Sequence, residues 1–177
     1  MIAYILPLLL CVLCTTHAQT IHQEALFAPD NHPEKRLLEL INKAAIRIYA
    51  AVYKIDECAF AQALIAAKQR GVDVQVLTDA ITMHSADGQA TYLDKNLIPV
   101  FLFNPKTPTD NGKELDDHMH HKFAIIDDTL WMGSFNWTKR AQINQESVII
   151  TNIPDIRISF EQQFELVKSR CSRWNAC

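Results

Sequence analysis

The chain has 177 residues, of which 49% are hydrophobic and 21% are charged, with a formal net charge of −3 and a pI near 6.1. These values are typical of one globular domain with a sizeable core, and they exclude a disordered or fibrous protein. The slight acidity also excludes a general electrostatic attraction to nucleic acids or anionic membranes, so binding of a polyanion would have to rely on local positive charge.

The first 18 residues differ in composition from the rest. An uncharged apolar run is followed by small polar residues, with Thr16 and Ala18 at the −3 and −1 positions of a possible cleavage site. The run is shorter than the roughly 20 residues that a membrane-spanning helix needs. We interpret 1–18 as a secretory signal peptide and 19–177 as the single domain, which predicts an exported, periplasmic or secreted protein. An uncleaved segment would instead anchor the protein to a membrane.

Three cysteines remain after the predicted signal: Cys58, Cys171 and Cys177. Export would place them in an oxidising compartment, where three cysteines allow at most one intrachain disulfide. Cys171 and Cys177 are close enough in sequence to close a small loop, but the pairing stays open. We interpret Cys58 as a small buried hydrophobic residue near a helix start.

The first half of the domain is predicted to alternate strands and helices. In chain order these are a strand at Glu24–Ala28, a helix at Pro33–Asn42, a strand at Ala45–Tyr53, a helix between Asp56 and Gly71, and a strand at Val72–Thr78. The second helix has Asp56 as its predicted N-cap, with Phe60, Leu64 and Ala67 on its buried face. Gly71 supplies the left-handed residue that ends it. This strand–helix–strand unit predicts a right-handed crossover between parallel strands.

The second half is predicted to complete a mixed sheet. Its elements are a partly helical segment around Gly88–Lys95, a strand at Ile98–Phe103, a turn-rich loop at Asn104–Asp117, strands at His118–Ile126, Thr129–Met132 and Ser147–Thr151, and a helix from Pro154 with Ile158, Phe164 and Val167 among its apolar positions. Trp131 and Trp137 are interpreted as core residues. The fold class that follows is α/β, a single domain with a mixed central sheet and helices on both faces.

One strand carries a histidine and a lysine two residues apart. In an extended strand alternate side chains share a face, so His120 and Lys122 can grip one ligand together, whereas His121 points the other way. A lysine can neutralise the oxygens of an anionic group while the histidine attacks it or transfers a proton. This pair indicates chemistry on a phosphate.

A second group of candidates follows in the sequence. Ser134 and Asn136, placed after the permissive Gly133, offer a hydroxyl and an amide that can bind phosphate oxygens where another enzyme uses a metal. Glu146 lies just before an apolar run, where a carboxylate is costly unless it is paired. We expect a histidine as its partner, held in one tautomer by the carboxylate.

These residues carry a family resemblance. The pattern His-x-Lys-x4-Asp followed by Gly-Ser-x-Asn resembles the signature of the phospholipase D superfamily, at His120, Lys122, Asp127, Gly133, Ser134 and Asn136, with Glu146 at the downstream acidic position. The small single-motif members, such as Nuc-type bacterial endonucleases and the mitochondrial cardiolipin hydrolase group, are also similar at Phe27–Pro29, Ile46–Tyr53 and Ala63–Val72.

The resemblance implies phosphodiester hydrolysis without a cofactor or metal. One histidine forms a covalent phosphohistidine and a second protonates the leaving oxygen. The chain has only one His-x-Lys motif, at His120 and Lys122, so the second histidine is expected from another subunit. The prediction is a two-fold homodimer with the active site at its interface. His120, Lys122, Asp127 and Glu146 are the predicted catalytic residues, and Lys122, Ser134 and Asn136 the predicted substrate-binding residues.

Several positions keep alternative interpretations. Asp127 falls on the opposite strand parity from His120, which favours a role in shaping the turn. His118 and His121 are interpreted as structural or rim residues. A metal site remains a rival, built from Asp116, Asp117, His118, His120 and His121, although Lys122 would repel a cation. A phosphate-binding module without catalysis is the remaining alternative.

The substrate is less firmly predicted than the reaction. Nucleic acid is favoured by the small single-motif architecture and by export, and Lys54, Lys122, Lys139 and Arg140 are candidates for a basic mouth. Phospholipid is the runner-up, which an uncleaved N-terminal anchor would favour.

Overall fold

The structure, a computed structural model, describes residues 20–81, 88–104, 106–108 and 114–175; of 106–108 and 114–116 it describes only the backbone. The predicted signal peptide, Cys177 and parts of the predicted loop lie outside these ranges. Within them, none of the helices has the length and apolar character needed to cross a bilayer.

The elements follow one another as the alternating pattern predicts. In chain order they are β1 (Gln23–Ala28), α1 (Pro33–Lys43), β2 (Arg47–Val52), α2 (Cys58–Gln69), β3 (Asp73–Asp79), α3 (Ala90–Lys95), β4 (Val100–Phe103), β5 (Lys106–Pro108), β6 (Glu114–Asp116), β7 (Lys122–Ile126), β8 (Thr129–Gly133), a 3-10 turn (Arg140–Gln142), β9 (Glu146–Thr151), α4 (Pro154–Lys168) and β10 (Ser172–Arg173).

The main sheet has the strand order β1-β9-β8-β7-β2-β3-β4-β10. Strands β2, β3 and β4 are parallel neighbours, and the other pairs are antiparallel. The predicted mixed sheet and the parallel pairing of β2 with β3 are therefore confirmed. The short strands β5 and β6 form a separate antiparallel hairpin inside the segment predicted as a loop.

Helices cover both faces of the sheet, as predicted. On β7, Ala124 and Ile126 belong to the core cluster that α1 and α2 cover, whereas Phe123 and Ile125 belong to the cluster covered by α4. Alternate side chains of β7 thus pack into two different core clusters. Trp131 is fully buried in the first cluster, as predicted.

Helix α2 confirms its predicted buried face and its predicted end, but not its predicted N-cap. Phe60 and Leu64 are fully buried, and Gly71 has a φ of 93°, so it ends the helix in the left-handed conformation. The N-cap prediction is wrong by one residue: Glu57 accepts a hydrogen bond from the backbone N–H of Ala59 at 3.3 Å. Asp56 instead accepts a bond from the backbone N–H of Lys139 at 3.2 Å, which ties the helix start to a distant loop.

Burial of the apolar residues is uneven. Of the three apolar positions noted on α4, Phe164 and Val167 are buried and Ile158 is 41% exposed. Cys58 is exposed rather than buried, because it lies in the first turn of α2. Cys171 is half-buried and forms no disulfide with Cys58, the other described cysteine, and burial raises the pKa of its thiol to about 11.

Candidate active site

The segment 117–121 leads from β6 to β7 and places the histidines at the end of the sheet. The predicted strand His118–Ile126 is too long, since β7 begins only at Lys122. The predicted pairing nevertheless occurs: Lys122 Nζ donates hydrogen bonds to Nδ1 and to the backbone carbonyl of His120, both at 2.7 Å. The His120 side chain is exposed, and Lys122 is buried beneath it, at 8% exposure.

The electrostatics of this pair favour a neutral histidine. Burial lowers the pKa of His120, and the charges of Lys122 and His118 lower it further against the opposing effect of Asp79. Burial also lowers the pKa of Lys122, against the opposing effect of Glu146. A charged lysine can only donate, so Nδ1 of His120 is the acceptor and the neutral ring carries its proton on Nε2.

Tyr53 is a site residue that sequence reasoning missed. It follows directly after β2, and its ring centroid lies 4.3 Å from that of His120. Lys122 Nζ lies 5.2 Å from the same ring centroid, in a cation–π arrangement. The backbone N–H of Tyr53 also bonds to the carbonyl of His121 at 2.8 Å. The available signal was its position at the end of a buried strand, where site residues of α/β sheets collect.

The predicted serine and glutamate are brought together between β8 and β9. Ser134 Oγ donates to Glu146 Oε2 at 2.5 Å and accepts from the backbone N–H of Ser147 at 3.0 Å. Glu146 Oε1 accepts from the amide of Asn144 at 3.2 Å. The expected histidine partner of Glu146 is therefore not found within the described part of one chain, since Ser134 and Asn144 bond to both carboxylate oxygens.

Gly133 is required where β8 meets β9. A Cβ atom there would lie 2.0 Å from the carbonyl oxygen of Ser147 and 2.9 Å from Cα of Val148. Both neighbours are backbone atoms, which cannot rotate away. The glycine therefore allows the close strand approach that positions Ser134 against Glu146.

Asn136 has an unsatisfied polar atom. Its side-chain oxygen is buried and has no hydrogen-bond partner among the residues that the structure describes. A buried amide without a partner is uncommon and costs free energy unless a ligand or a second chain satisfies it. The unsatisfied atom is an acceptor and would need a donor as its partner, so the role of Asn136 in binding phosphate oxygens stays a prediction.

Asp127 takes a structural position rather than the predicted catalytic one. Its carboxylate accepts hydrogen bonds from the backbone N–H groups of Ala45, Ile46 and Arg47, at 2.9, 2.8 and 2.9 Å. It follows the end of β7, five residues after Lys122, which is about 16 Å away along an extended strand. Burial raises its pKa, but the three bonds and the charge of Arg47 outweigh burial and lower it. Asp127 fixes the start of β2.

His118 and His121 lie at the rim, as interpreted from the sequence. His118 Nδ1 lies 3.3 Å from a carboxylate oxygen of Asp79, a second residue that sequence reasoning missed. His121 Nε2 lies 3.3 Å from the side-chain nitrogen of Gln163 on α4. Burial lowers the pKa of His121, and the charges of Lys122 and His120 add to that effect.

The rival metal site lacks geometric support. In the ranges that the structure describes, no group of three or more His, Cys, Asp or Glu side chains converges so that it could hold a metal. Asp117, His118, His120 and His121 are within those ranges, whereas the side chain of Asp116 is outside them.

The predicted basic mouth does not form one surface. Lys139 and Arg140 are exposed and line a cavity together with Asp56, Cys58 and Gln89. Lys122 lies under His120, beside a different cavity. The positive charge is therefore divided between the histidine site and a neighbouring depression.

Comparison with known proteins identifies the family. A family profile described as "Cardiolipin synthase, PLD-like domain" matches residues 37–167. The chain belongs to the phospholipase D superfamily. This phospholipase D-like chain is 35% identical over 133 residues to the mitochondrial cardiolipin hydrolase of Danio rerio, covering 73% of this chain and 54% of that protein. It thus spans about half the length of these curated relatives.

Solved structures of similar proteins support the fold. NucT from Helicobacter pylori has a TM-score of 0.80 at 24% identity, covering 88% of this chain and all 100% of the other. The phospholipase D family member Nuc from Salmonella typhimurium has a TM-score of 0.77 at 25% identity, covering 89% of this chain and 100% of that one. The predicted single-domain phospholipase D-like fold is confirmed.

Proposed function

We propose that the protein is a metal-independent phosphodiester hydrolase that acts through a covalent phosphohistidine at His120, with nucleic acid as its substrate. The observation that carries this proposal is the buried Lys122 ammonium directly beneath an exposed imidazole. This arrangement fits an anionic substrate, because the lysine compensates phosphate charge while the histidine faces the phosphorus. Membership of the phospholipase D superfamily supports the same reaction class.

The first step is attack of Nε2 of His120 on phosphorus. A P–N bond forms, the P–O bond to the leaving group breaks, and a second histidine protonates the leaving oxygen. Nε2 must be unprotonated to attack, whereas the contact with Lys122 leaves the proton there. A bound phosphate would attract the Lys122 ammonium, which frees Nδ1 to carry the proton instead. Substrate binding would thus prepare the nucleophile.

The second step releases the product. Water attacks phosphorus, the P–N bond breaks, and the histidine that gave its proton to the leaving group takes one from the water. The side-chain NH2 group of Asn136 would donate to the phosphate oxygens in both steps. Glu146, held by Ser134 and Asn144, is available to an imidazole that approaches from a second subunit.

The second histidine is proposed to be His120 of the partner subunit in a two-fold dimer. The proposal is tested by mixing wild-type protein with an excess of His120→Ala protein and allowing subunits to exchange. Mixed dimers then contain one histidine per site and should be inactive, so activity falls with the square of the wild-type fraction. The control is the exposed His22→Ala variant. Its mixed dimers with wild-type protein keep both His120 side chains and should remain fully active. A fully active, strictly monomeric wild-type protein by sedimentation would refute the scheme.

The covalent step is tested separately by rapid quenching with labelled substrate. Label should remain on His120 in the wild-type protein and be absent from His120→Ala. Unlabelled wild-type protein that still binds the substrate would favour the non-catalytic phosphate-binding module. Activity unaffected by EDTA is expected, whereas loss of activity restored by zinc would support the metal alternative.

Phospholipid is the second candidate substrate. It is favoured by the similarity to the cardiolipin hydrolase of Danio rerio, while nucleic acid is favoured by the match to the full length of the small bacterial Nuc chains. Parallel assays on single-stranded DNA, RNA, phosphatidylcholine and cardiolipin decide between them. Export is a linked proposal: the purified native protein should begin near Gln19, and an intact Met1 in a membrane fraction would contradict it.

A further inference from the structure

A cavity of about 280 Å³ lies directly beside the exposed face of His120. It is bounded by the 117–121 segment, the end of β4 and the last turns of α4. Besides His120, its lining includes Phe103, His118, Met119, Gln163, Val167 and Arg170. The volume is just below the roughly 300 Å³ at which small-ligand sites begin and far above the roughly 15 Å³ that one water molecule needs by the same measure.

The lining is apolar at its base and rich in hydrogen-bond donors at its rim. Phe103, Met119 and Val167 are buried and belong to the core cluster under α4. The rim residues include Gln163 and Arg170, and none of the described residues that line the cavity is an Asp or Glu. The Arg170 side chain is exposed and forms no ion pair with the residues that the structure describes. Such a lining suits an anion attached to a partly apolar group.

His118 is held in place from behind. Its Nδ1 atom faces the Asp79 carboxylate, which is 3% exposed and also accepts a bond from the backbone N–H of Met119 at 2.9 Å. Because Nδ1 bonds to a buried carboxylate, the ring is held in one orientation and Nε2 remains for a ligand. The imidazole is therefore pre-oriented toward a ligand in the cavity.

The rings of His118 and His120 both contact the ring of Tyr53. The Tyr53 ring contacts His118 edge-on at 6.1 Å between centroids and His120 at 4.3 Å. A rigid aromatic between them fixes the position of the cavity relative to the nucleophile. A ligand group in the cavity is therefore adjacent to a phosphate on His120.

We propose that this cavity is a subsite for a second phosphate, the one next to the scissile phosphate along a nucleic acid strand, bound by His118 and Arg170. The inference rests on the proposed function, which supplies the first phosphate. It adds a specificity: the enzyme would prefer diesters that carry a neighbouring phosphate over isolated ones. The apolar base formed by Phe103, Met119 and Val167 would accommodate the sugar between the two phosphates.

The test compares binding of thymidine 3′,5′-bisphosphate with binding of thymidine 5′-monophosphate by calorimetry. Charge-assisted hydrogen bonds contribute about 1.5–3 kcal/mol, so the bisphosphate should bind wild-type protein about 10- to 100-fold more tightly. Arg170→Ala and His118→Gln should each reduce that ratio to within about 3-fold, and Arg170→Lys should retain part of it. The control is Arg173→Ala, an equal charge change on an exposed residue outside the cavity, which should keep the full ratio.

Cleavage assays test the proposed function independently of the subsite. Wild-type protein is also assayed on thymidylyl-thymidine with and without a terminal phosphate and on longer DNA and RNA. Cleavage of DNA or RNA without any bisphosphate preference would overturn the subsite and leave the proposed function standing. A bisphosphate preference that depends on Arg170 without cleavage of any nucleotide substrate would support the subsite and contradict the proposed function. A preference that survives both Arg170→Ala and His118→Gln would also overturn the subsite.

Discussion

Lys122 Nζ lies 2.7 Å from Nδ1 of His120, so a buried ammonium is the immediate neighbour of the exposed imidazole that we propose as the nucleophile. Two positive charges at that distance repel each other, which explains part of the lowered pKa of His120 after the effect of burial. The contact also occupies the ring nitrogen that must be protonated during attack. One residue thus controls both the charge and the tautomer of the histidine.

The first prediction concerns that charge. Replacing Lys122 with methionine keeps an unbranched side chain of similar length and removes the ammonium. The pKa of His120 should rise toward its ordinary value of 6.5, measured by NMR titration of the ring, and turnover should fall by about 10²- to 10³-fold. Lys139→Met is the control, because Lys139 is exposed and does not line the histidine cavity. An unchanged or lower pKa in Lys122→Met would contradict the electrostatic account.

The second prediction concerns the hydroxyl of Ser134. Alanine at this position removes the partner of Glu146 Oε2 but keeps the backbone bond between Ser134 and Ser147, which is 2.9 Å long. We expect kcat/KM to fall by about 10- to 100-fold, since the carboxylate loses its fixed orientation, while the unfolding free energy changes by only about 1 kcal/mol. Ser159→Ala, which removes an exposed helix hydroxyl bonded to a backbone carbonyl, should leave both quantities unchanged. Wild-type activity in Ser134→Ala would remove the residue from the site.

The third prediction follows from the structural role of Asp127. Asparagine here keeps a short side chain suited to the φ of 50°, but it removes the charge that three backbone N–H groups bind. We expect the free energy of unfolding to fall by about 1–3 kcal/mol near pH 7, with kcat unchanged.

The stability lost in Asp127→Asn should become smaller as the pH falls. The folded-state pKa of Asp127 is lowered, so its stabilising effect is complete above the unfolded-state pKa of about 3.9 and is lost as pH falls through the folded-state pKa. Denaturant titrations should therefore find wild type and Asp127→Asn converging below about pH 4. A gap that widens on acidification, or a large loss of kcat at pH 7, would argue against a purely structural carboxylate.

The fourth prediction compares two glycines that are required for different reasons. Gly133→Ala would place a Cβ 2.0 Å from a backbone oxygen, so β8 and β9 must separate, and we expect a loss of about 3 kcal/mol or more together with loss of activity. Gly71→Ala meets no atom within 4 Å but keeps a φ of 93°, which predicts only about 1 kcal/mol of destabilisation and full activity. Equal stability losses in thermal unfolding would contradict the steric explanation for Gly133.

The sequence determined those features that depend on local pattern. The period of apolar residues placed α1, α2, β2 and β3 close to their observed positions, and the short connections implied the parallel pairing of β2 with β3. The spacing of His120 and Lys122 predicted their contact even though the strand begins only at Lys122, because an extended segment keeps the same alternation. The His-x-Lys-x4-Asp motif by itself also indicated the superfamily.

Only the tertiary structure decided which distant residues meet. Asp127 and Ala45 are 82 positions apart, and their bond follows from the antiparallel pairing of β7 with β2, which no local pattern encodes. For the same reason Glu146 was expected to bind a histidine and instead bonds to Ser134, while Tyr53 and Asp79 join the site because β2 and β3 end beside the 117–121 segment. Periodicity reports which face of an element is buried, but the order of strands in the sheet decides what that face touches.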